Sequence, residues 1–248
     1  MILPKVSIIT VCYNAETLIE RTIQSVLNQT YTNVEYIIID GKSTDDTLKI
    51  IDDLTSRTLH FTPRIKIISE PDRGIYDAMN KGLNWATGDY VWFINAGDEI
   101  CEPTTLENLI PYFQKNADVV YGDMVRVDEC QNILGLAKQR PPENFTWKSF
   151  RMGMKVCHQS ILVSRKIAPK YDLQYRICAD IDWVIQAMKQ AQIVCNSQQI
   201  LSRFLVGGFS KQHEKKAWKE RFTIMKRHYG LLQTLLFHIA IGFRYVFK

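Results

Sequence analysis

Four polar clusters interrupt apolar stretches of this 248-residue chain, and each could carry chemistry. Asp40 ends an apolar run and is followed by Gly41, in the string DGKSTDDT. A carboxylate there can accept hydrogen bonds from a nucleoside base or ribose while the glycine lets a ligand approach the backbone; equally, it can cap a turn. Asn95-Ala96-Gly97-Asp98-Glu99 follows another apolar run. A divalent cation that bridges a diphosphate takes most of its ligands from phosphate and water, so one carboxylate at a strand end can suffice; the alternative is a solvated acidic turn. Asp180-Ile181-Asp182 opens a helical pattern. Two acids there suit the positive end of the helix dipole, and one of them could take a proton from an attacking hydroxyl.

The fourth cluster is Cys157-His158-Gln159-Ser160, ahead of a short apolar run. His158 can hydrogen-bond a substrate hydroxyl or phosphate, or settle a turn. A Cys157–His158 nucleophile pair is disfavoured, because neighbours in an extended segment point to opposite faces. Arg73, after Pro71-Asp72, is a candidate phosphate or base partner, or a solvated side chain.

The elements that must hold these residues follow from periodicity. VSIITVC over Val6–Cys12 and VEYIII over Val34–Ile39 are β-branched runs of the kind buried on both sides of a parallel sheet. Ile65–Ser69, Tyr90–Asn95, Val119–Tyr121, Ile161–Val163 and Ile200–Val206 read as further strands, and Met124–Leu136 as a hairpin. Helical spacing appears at Ile19, Ile23, Val26 and Leu27, at Leu48, Ile51 and Leu54, at Ile75 to Ala86, at Leu106 to Phe113, and at Ile181, Val184, Ile185 and Met188. Strands alternating with helices predict an α/β fold with a mostly parallel sheet and helices on both faces. Phe145–Phe150 is aromatic without periodicity. Lys211–Tyr229 reads as a charge-laced helix, and Leu231–Phe247 as an apolar segment ending in cations. That last segment either packs on the domain or on a second copy of the chain, or lies in a membrane interface.

Composition bounds the class. With 46% hydrophobic residues the chain can bury a sizeable core, which excludes a disordered protein. The net charge of +5 is modest and concentrated in the last 40 residues, favouring an anionic partner such as a lipid surface and giving no sign of nucleic-acid binding. Six scattered cysteines without CxxC spacing read as reduced thiols, neither zinc ligands nor a redox pair. The N-terminal MILPKVSIITVCYN lacks the order of a signal peptide, and no stretch has the apolar length of a membrane span, so a cytoplasmic protein is expected. The first turn, CYNAE, lacks GxGxxG, which removes the main support for a dinucleotide enzyme.

Together, VSIITVCYNAE, DGKSTDDT, EPDRGIYDAMNKGLNWATGDYVWFINAGDE and ADIDW resemble, in order and spacing, the motifs of family-2 glycosyltransferases over most of residues 5–210. CHQS with NAGD resembles the subgroup of bacterial exopolysaccharide assembly, including colanic-acid-type enzymes. The resemblance implies a Rossmann-like GT-A fold over 1–210, with a nucleotide-sugar half at 1–123, an acceptor half at 124–210 and a helical extension at 211–248. It implies that Thr10, Tyr13, Asn14 and Asp40 line a nucleoside pocket with Arg73, Asn80 and Asn95 nearby. Asp98 would hold Mg or Mn, Asp180 would be the general base of an inverting transfer, and His158, Gln159, Asp182 and Trp183 would lie on the acceptor side. The implied partners are a nucleotide-sugar donor and a saccharide or lipid-linked acceptor at the inner face of the cytoplasmic membrane, with contact through 231–248 and a homodimer left open. Two departures stand out: Asn95 and Gly97 occupy places where the family carries acids, leaving Asp98 nearly alone, and Ala179 stands where many relatives have Glu. The first, the thinned metal motif, motivates an alternative, a nucleotide-binding scaffold impaired in catalysis.

Overall fold

Seven consecutive residues of Val6–Cys12 (β1) and of Val34–Asp40 (β2) are buried, as expected of strands covered on both faces. The computed structural model describes residues 3–56, 64–153, 155–207 and 213–246. Around this pair, Arg64–Ser69 (β3) joins β2 and Tyr90–Phe93 (β4) joins β1, all parallel. The register sets Cys12 opposite Asp40 and Asp40 opposite Ser69, so three strand ends finish level at one edge.

Beyond β4 the sheet becomes mixed. Ile161–Ser164 (β8) runs antiparallel to β4 and to Val119–Val127 (β6), and Val194–Leu205 (β9) runs parallel to β6. Glu99–Ile100 (β5) and Ile133–Leu136 (β7) complete the order β3-β2-β1-β4-β8-β6-β9-β5, with β7 on β6. The four strands β3-β2-β1-β4 are therefore all parallel, and beyond them β6 and β9 keep that direction while β8, β5 and β7 are reversed. Because β8 is reversed, its entry, His158–Ser160, meets the exits of β1, β2 and β4 at one edge.

Alternating side chains of the strands divide the core in two. Ile8, Ile38 and Trp92 face Ile19–Leu27 (α1), Thr47–Ser56 (α2) and Ile110–Gln114 (α4). Ile9, Ile37, Ile39 and Phe93 face Ile75–Trp85 (α3) and Ala179–Gln190 (α5) on the other side. The expected hairpin is present as β6 and β7, and Phe145–Phe150 falls largely in a 3₁₀ segment, Trp147–Met152, begun by a Thr146/Ser149 capping box. Several expectations differ in extent. The last strand starts at Val194, six residues early, because its first half adds to β6 as a mostly half-buried strand with no apolar run. The stretch from Leu106 to Phe113 divides at Pro111 into a 3₁₀ turn, Glu107–Leu109, and the short α4.

The expected helix from Lys211 appears as Glu214–Tyr229 (α6), and residues 208–212 lie outside the described part. Leu231–Val246 forms α7. Ile224, Met225 and Tyr229 of α6 are buried in the same core as α3 and α5, so this helix completes the domain's hydrophobic interior. All six cysteines are free.

Candidate active site

A cavity of about 460 Å³ opens where these edges meet, lined among others by Tyr76, Asn95, Asp123, Cys157, His158, Gln159 and Asp180. That volume is in the range of small-molecule sites. Asp180 enters it from the first turn of α5, where the dipole favours a carboxylate. Its Oδ1 lies 3.2 Å from the Tyr76 hydroxyl, which also donates to Ile177 O at 2.7 Å. Burial pushes the Asp180 carboxyl above its ordinary range, opposed by bonds from the Ile181 amide and Tyr76. A carboxylate so placed can accept a proton from a hydroxyl bound in the cavity.

Asp182, two residues on, points elsewhere. Wholly buried, it lies 2.7 Å from His228 Nε2 of α6 and accepts from Gln186 Nε2 at 2.5 Å. Trp183 is buried beside it, donates to Pro169 O at 2.6 Å, and packs with Phe93, His158 and Tyr171. His158 sits within that aromatic group with Nε2 2.7 Å from the Tyr171 hydroxyl. Burial pulls its pKa down to about 3, so the ring is neutral at working pH.

Asp98 lies under the cavity wall. Gln159 Nε2 donates to its Oδ2 at 2.8 Å and the Leu205 amide to its Oδ1 at 3.0 Å. Burial pushes its pKa up to about 7 in spite of these two bonds. The reversed β8 thus brings Gln159, expected on the acceptor side, onto the carboxylate expected to hold metal. The adjacent Cys157 thiol points at Gln159 Oε1, 2.9 Å away, and burial beside Asp98 raises its pKa, keeping it protonated. The segment is a 3₁₀ turn where extended chain was expected, yet Cys157 and His158 still have separate partners.

Gly97 explains one departure in the acidic motif. Its φ is +98°, so an aspartate there would be strained, and its Cβ would push the Leu205 Cδ2 methyl, 2.9 Å away, aside. Asn95 carries a different signal: its Oδ1 is buried without a hydrogen-bond partner and the residue lines the cavity. Among the described residues no three His, Cys, Asp or Glu side chains gather as a metal cluster. The donor set of Asn95 Oδ1 and the Asp98 carboxylate nevertheless fits a hard cation that draws its other ligands from diphosphate and water.

The nucleoside candidates divide. Tyr13, Asn14 and Asp40 gather at the ends of β1 and β2. Tyr13 is 63% exposed, and its ring and the Asp72 carboxylate would lie 3.2 and 2.5 Å from a Cβ on Gly41, so a larger residue there would push the Asp72 carboxylate aside. Asn14 Oδ1 accepts from the Thr44 amide at 2.9 Å. Asp40 accepts from the Ser43 amide at 3.0 Å, from Ser69 Oγ at 2.6 Å, and from the Ser43 hydroxyl, so it anchors the turn. Arg73 stands exposed in the β3–α3 loop and pairs with Asp77 at 3.1 Å. Thr10 is wholly buried, its hydroxyl donating to Ile94 O at 2.7 Å and lying 3.0 Å from Tyr36 Oη. Asn80 uses both amide atoms on the Tyr171 backbone, at 2.9 and 2.8 Å. These two side chains stitch the scaffold together.

Two residues emerge only from the structure. Asp123, an acid within the apolar β6 string VVYGDMVRV, lines the cavity and meets Arg140 Nε at 2.5 Å. Glu220 of α6 accepts from the amides of Arg176, Ile177 and Cys178 at 3.0, 2.8 and 3.0 Å, the turn that leads into Asp180. The interrupted strand was a signal for Asp123; Glu220 had none, being one charge among many in AWKERF.

Comparison with known proteins gives the arrangement its family. The chain is 29% identical over 235 residues to a PGL/p-HBAD biosynthesis glycosyltransferase of Mycobacterium bovis, covering 92% of this chain and 87% of that protein. It is 30% identical over 222 residues to an uncharacterized glycosyltransferase of Mycobacterium tuberculosis, covering 86% and 80%. Among solved structures, S. aureus TarS 1-349 in complex with UDP-GlcNAc superposes with a TM-score of 0.70 at 18% identity, over 95% of this chain and 73% of that one. This chain spans 64% of the TarS chain solved with UDP and 42% of the longer TarS chain. The mannosyltransferase PcManGT from Pyrobaculum calidifontis, solved with GDP-Man and Mn2+, gives 0.63 at 17% identity over 97% and 65%. These likenesses establish the GT-A fold. The model of glycosyl transferase family 2 matches residues 7–169, well over half of the 248, and the chain belongs to that family.

Proposed function

We propose that this transferase moves a sugar from a nucleotide-sugar donor to a hydroxyl of a saccharide or lipid-linked saccharide in cell-surface polysaccharide assembly, of the colanic-acid type. The displacement is single and inverts the anomeric centre: Asp180 takes the hydroxyl proton, the oxygen attacks the sugar carbon, and the nucleoside diphosphate departs. The observation that carries this reading is the Asp180 carboxyl at the cavity, held above its ordinary pKa with Tyr76 beside it. The donor's nucleoside rests near Tyr13, Asn14 and Asp40 at the strand ends, where Gly41 leaves room. UDP and UDP-GlcNAc in TarS, and GDP-Man in the mannosyltransferase, support a nucleotide-sugar donor. The mycobacterial relative, a PGL/p-HBAD biosynthesis glycosyltransferase, supports sugar transfer within a biosynthetic route.

Asn95 and Asp98 would hold Mg or Mn, as Mn2+ accompanies the mannosyltransferase. When bound, the cation supplies positive charge to the leaving diphosphate. A second reading, a nucleotide-binding scaffold without turnover, draws on one observation: both Asp98 oxygens already accept from Gln159 and Leu205. Release of nucleoside diphosphate from a panel of nucleotide sugars with Mn separates the two. Transfer is expected with at least one donor, and Asp180→Asn should lower it by about 10²–10⁴-fold with nucleotide-induced thermal stabilisation unchanged. Unaltered turnover in that variant removes Asp180 from the mechanism. Binding without release from any donor favours the scaffold.

A further inference from the structure

The helical hairpin α6–α7 turns two different stripes outward. On α6, Ile224, Met225 and Tyr229 are buried and Glu220 reaches the start of α5, while Lys215, Lys216, Lys219 and Lys226 are exposed. On α7, Thr234 and Ile241 are buried, Phe237 lies 5.8 Å from the Arg151 guanidinium, and His238 packs on Trp218 and Phe222 of α6. What remains of α7 is Leu231, Leu232, Leu235, Leu236 and Ile239, exposed from 43% at Leu235 to 72% at Leu232. At helical spacing these five fall in one arc of about 140°, and the four lysines of α6 fall in one of about 100°. Both helices bury the side toward the domain, so the stripes share one outward surface, a row of ammonium groups beside a row of leucines. Among the described side chains of the two helices, the one carboxylate, Glu220, points inward.

We propose that this face docks on the surface of an anionic bilayer, with the leucines and Ile239 entering the acyl boundary and the lysines meeting headgroup phosphates. Charge complementarity decides the occupant. A twofold pair of copies would set each lysine row against the partner's lysines or leucines, with no counter-charge in either case, whereas anionic headgroups neutralise it. Docking is in the plane of the surface, since no helix among the described residues is long and apolar enough to cross a membrane. The inference uses no residue of the cavity, so it stands or falls separately from sugar transfer.

The test is sedimentation of the full chain with vesicles of phosphatidylcholine and phosphatidylglycerol, against phosphatidylcholine alone. Binding is expected to the anionic vesicles and to weaken with added salt. The double variant Leu232→Glu/Leu236→Glu should abolish it, and Lys215→Gln/Lys216→Gln/Lys219→Gln should weaken it about a hundredfold, at about fivefold per lysine. Both alter exposed positions, and an unchanged melting temperature is the control. No sedimentation, equal binding by either variant, or equal binding to neutral vesicles overturns the proposal. So does a concentration-dependent dimer that Leu232→Glu/Leu236→Glu dissolves, which would assign the face to a second copy.

Discussion

Asp180 and Asp182 stand two positions apart on one helix, a spacing that turns their side chains to different sides. Asp180 faces the cavity, and Asp182 is locked against His228 of α6. The first is available for proton transfer and the second ties helices together. Tyr76 adjusts the first: its hydroxyl bond favours the charged carboxylate, opposing the upward push of burial. Removing that bond in Tyr76→Phe should raise the Asp180 pKa further. With Asp180 as the proposed base, the acidic limb of kcat is then expected to move to higher pH, while the plateau above it changes little. A pH–rate profile measures this, and a limb that stays in place would leave Tyr76 with a packing role only. His158 does not supply that limb, since burial keeps its ring neutral down to about pH 3.

At the scale of elements, α5 is aimed by its neighbour. The three amides of Arg176, Ile177 and Cys178 precede the helix, and all three converge on the Glu220 carboxylate at the positive end of the α5 dipole. Glu220→Ala leaves these buried donors without a partner, which costs about 1–3 kcal/mol. Because the same turn sets the direction of Asp180, kcat is expected to fall while the donor KM holds. Thermal melts and steady-state kinetics on Glu220→Ala and Glu220→Gln test both parts, with Gln recovering some stability through its carbonyl oxygen. β8 acts in a similar way on Asp98: only a reversed strand delivers Gln159 to the end of β4.

For the whole molecule, the question is where the domain ends. The sequence expectation set a boundary at residue 210, with the remainder an extension. Burial of Ile224, Met225 and Tyr229 in the core argues that the cooperative unit runs through α6. A chain shortened to end at Gly230 is expected to fold, with a lower melting temperature from the loss of Thr234, Phe237 and Ile241. A chain ending before Glu214 is expected to lose cooperative unfolding, as it strips several large apolar side chains and the Glu220 cap together. Calorimetry of the two truncations decides, and a sharp transition in the shorter one would return the boundary to residue 210.

The sequence by itself determined the alternating strands and helices, because buried β-branched runs such as VSIITVC and one-sided stripes such as Ile19, Ile23 and Val26 leave few other foldings. It also located Asp40, Asp98 and Asp180, since an acid that ends an apolar run or opens a helix is visible locally. Tertiary structure decided which of these polar groups meet. The direction of β8 put Gln159 on Asp98, the turn of α5 separated Asp180 from Asp182, and Thr10 and Asn80 were drawn into bonds with Ile94, Tyr36 and Tyr171. Such pairings join residues far apart in the chain, and strand direction and helix packing, which no local pattern carries, bring them within hydrogen-bond range.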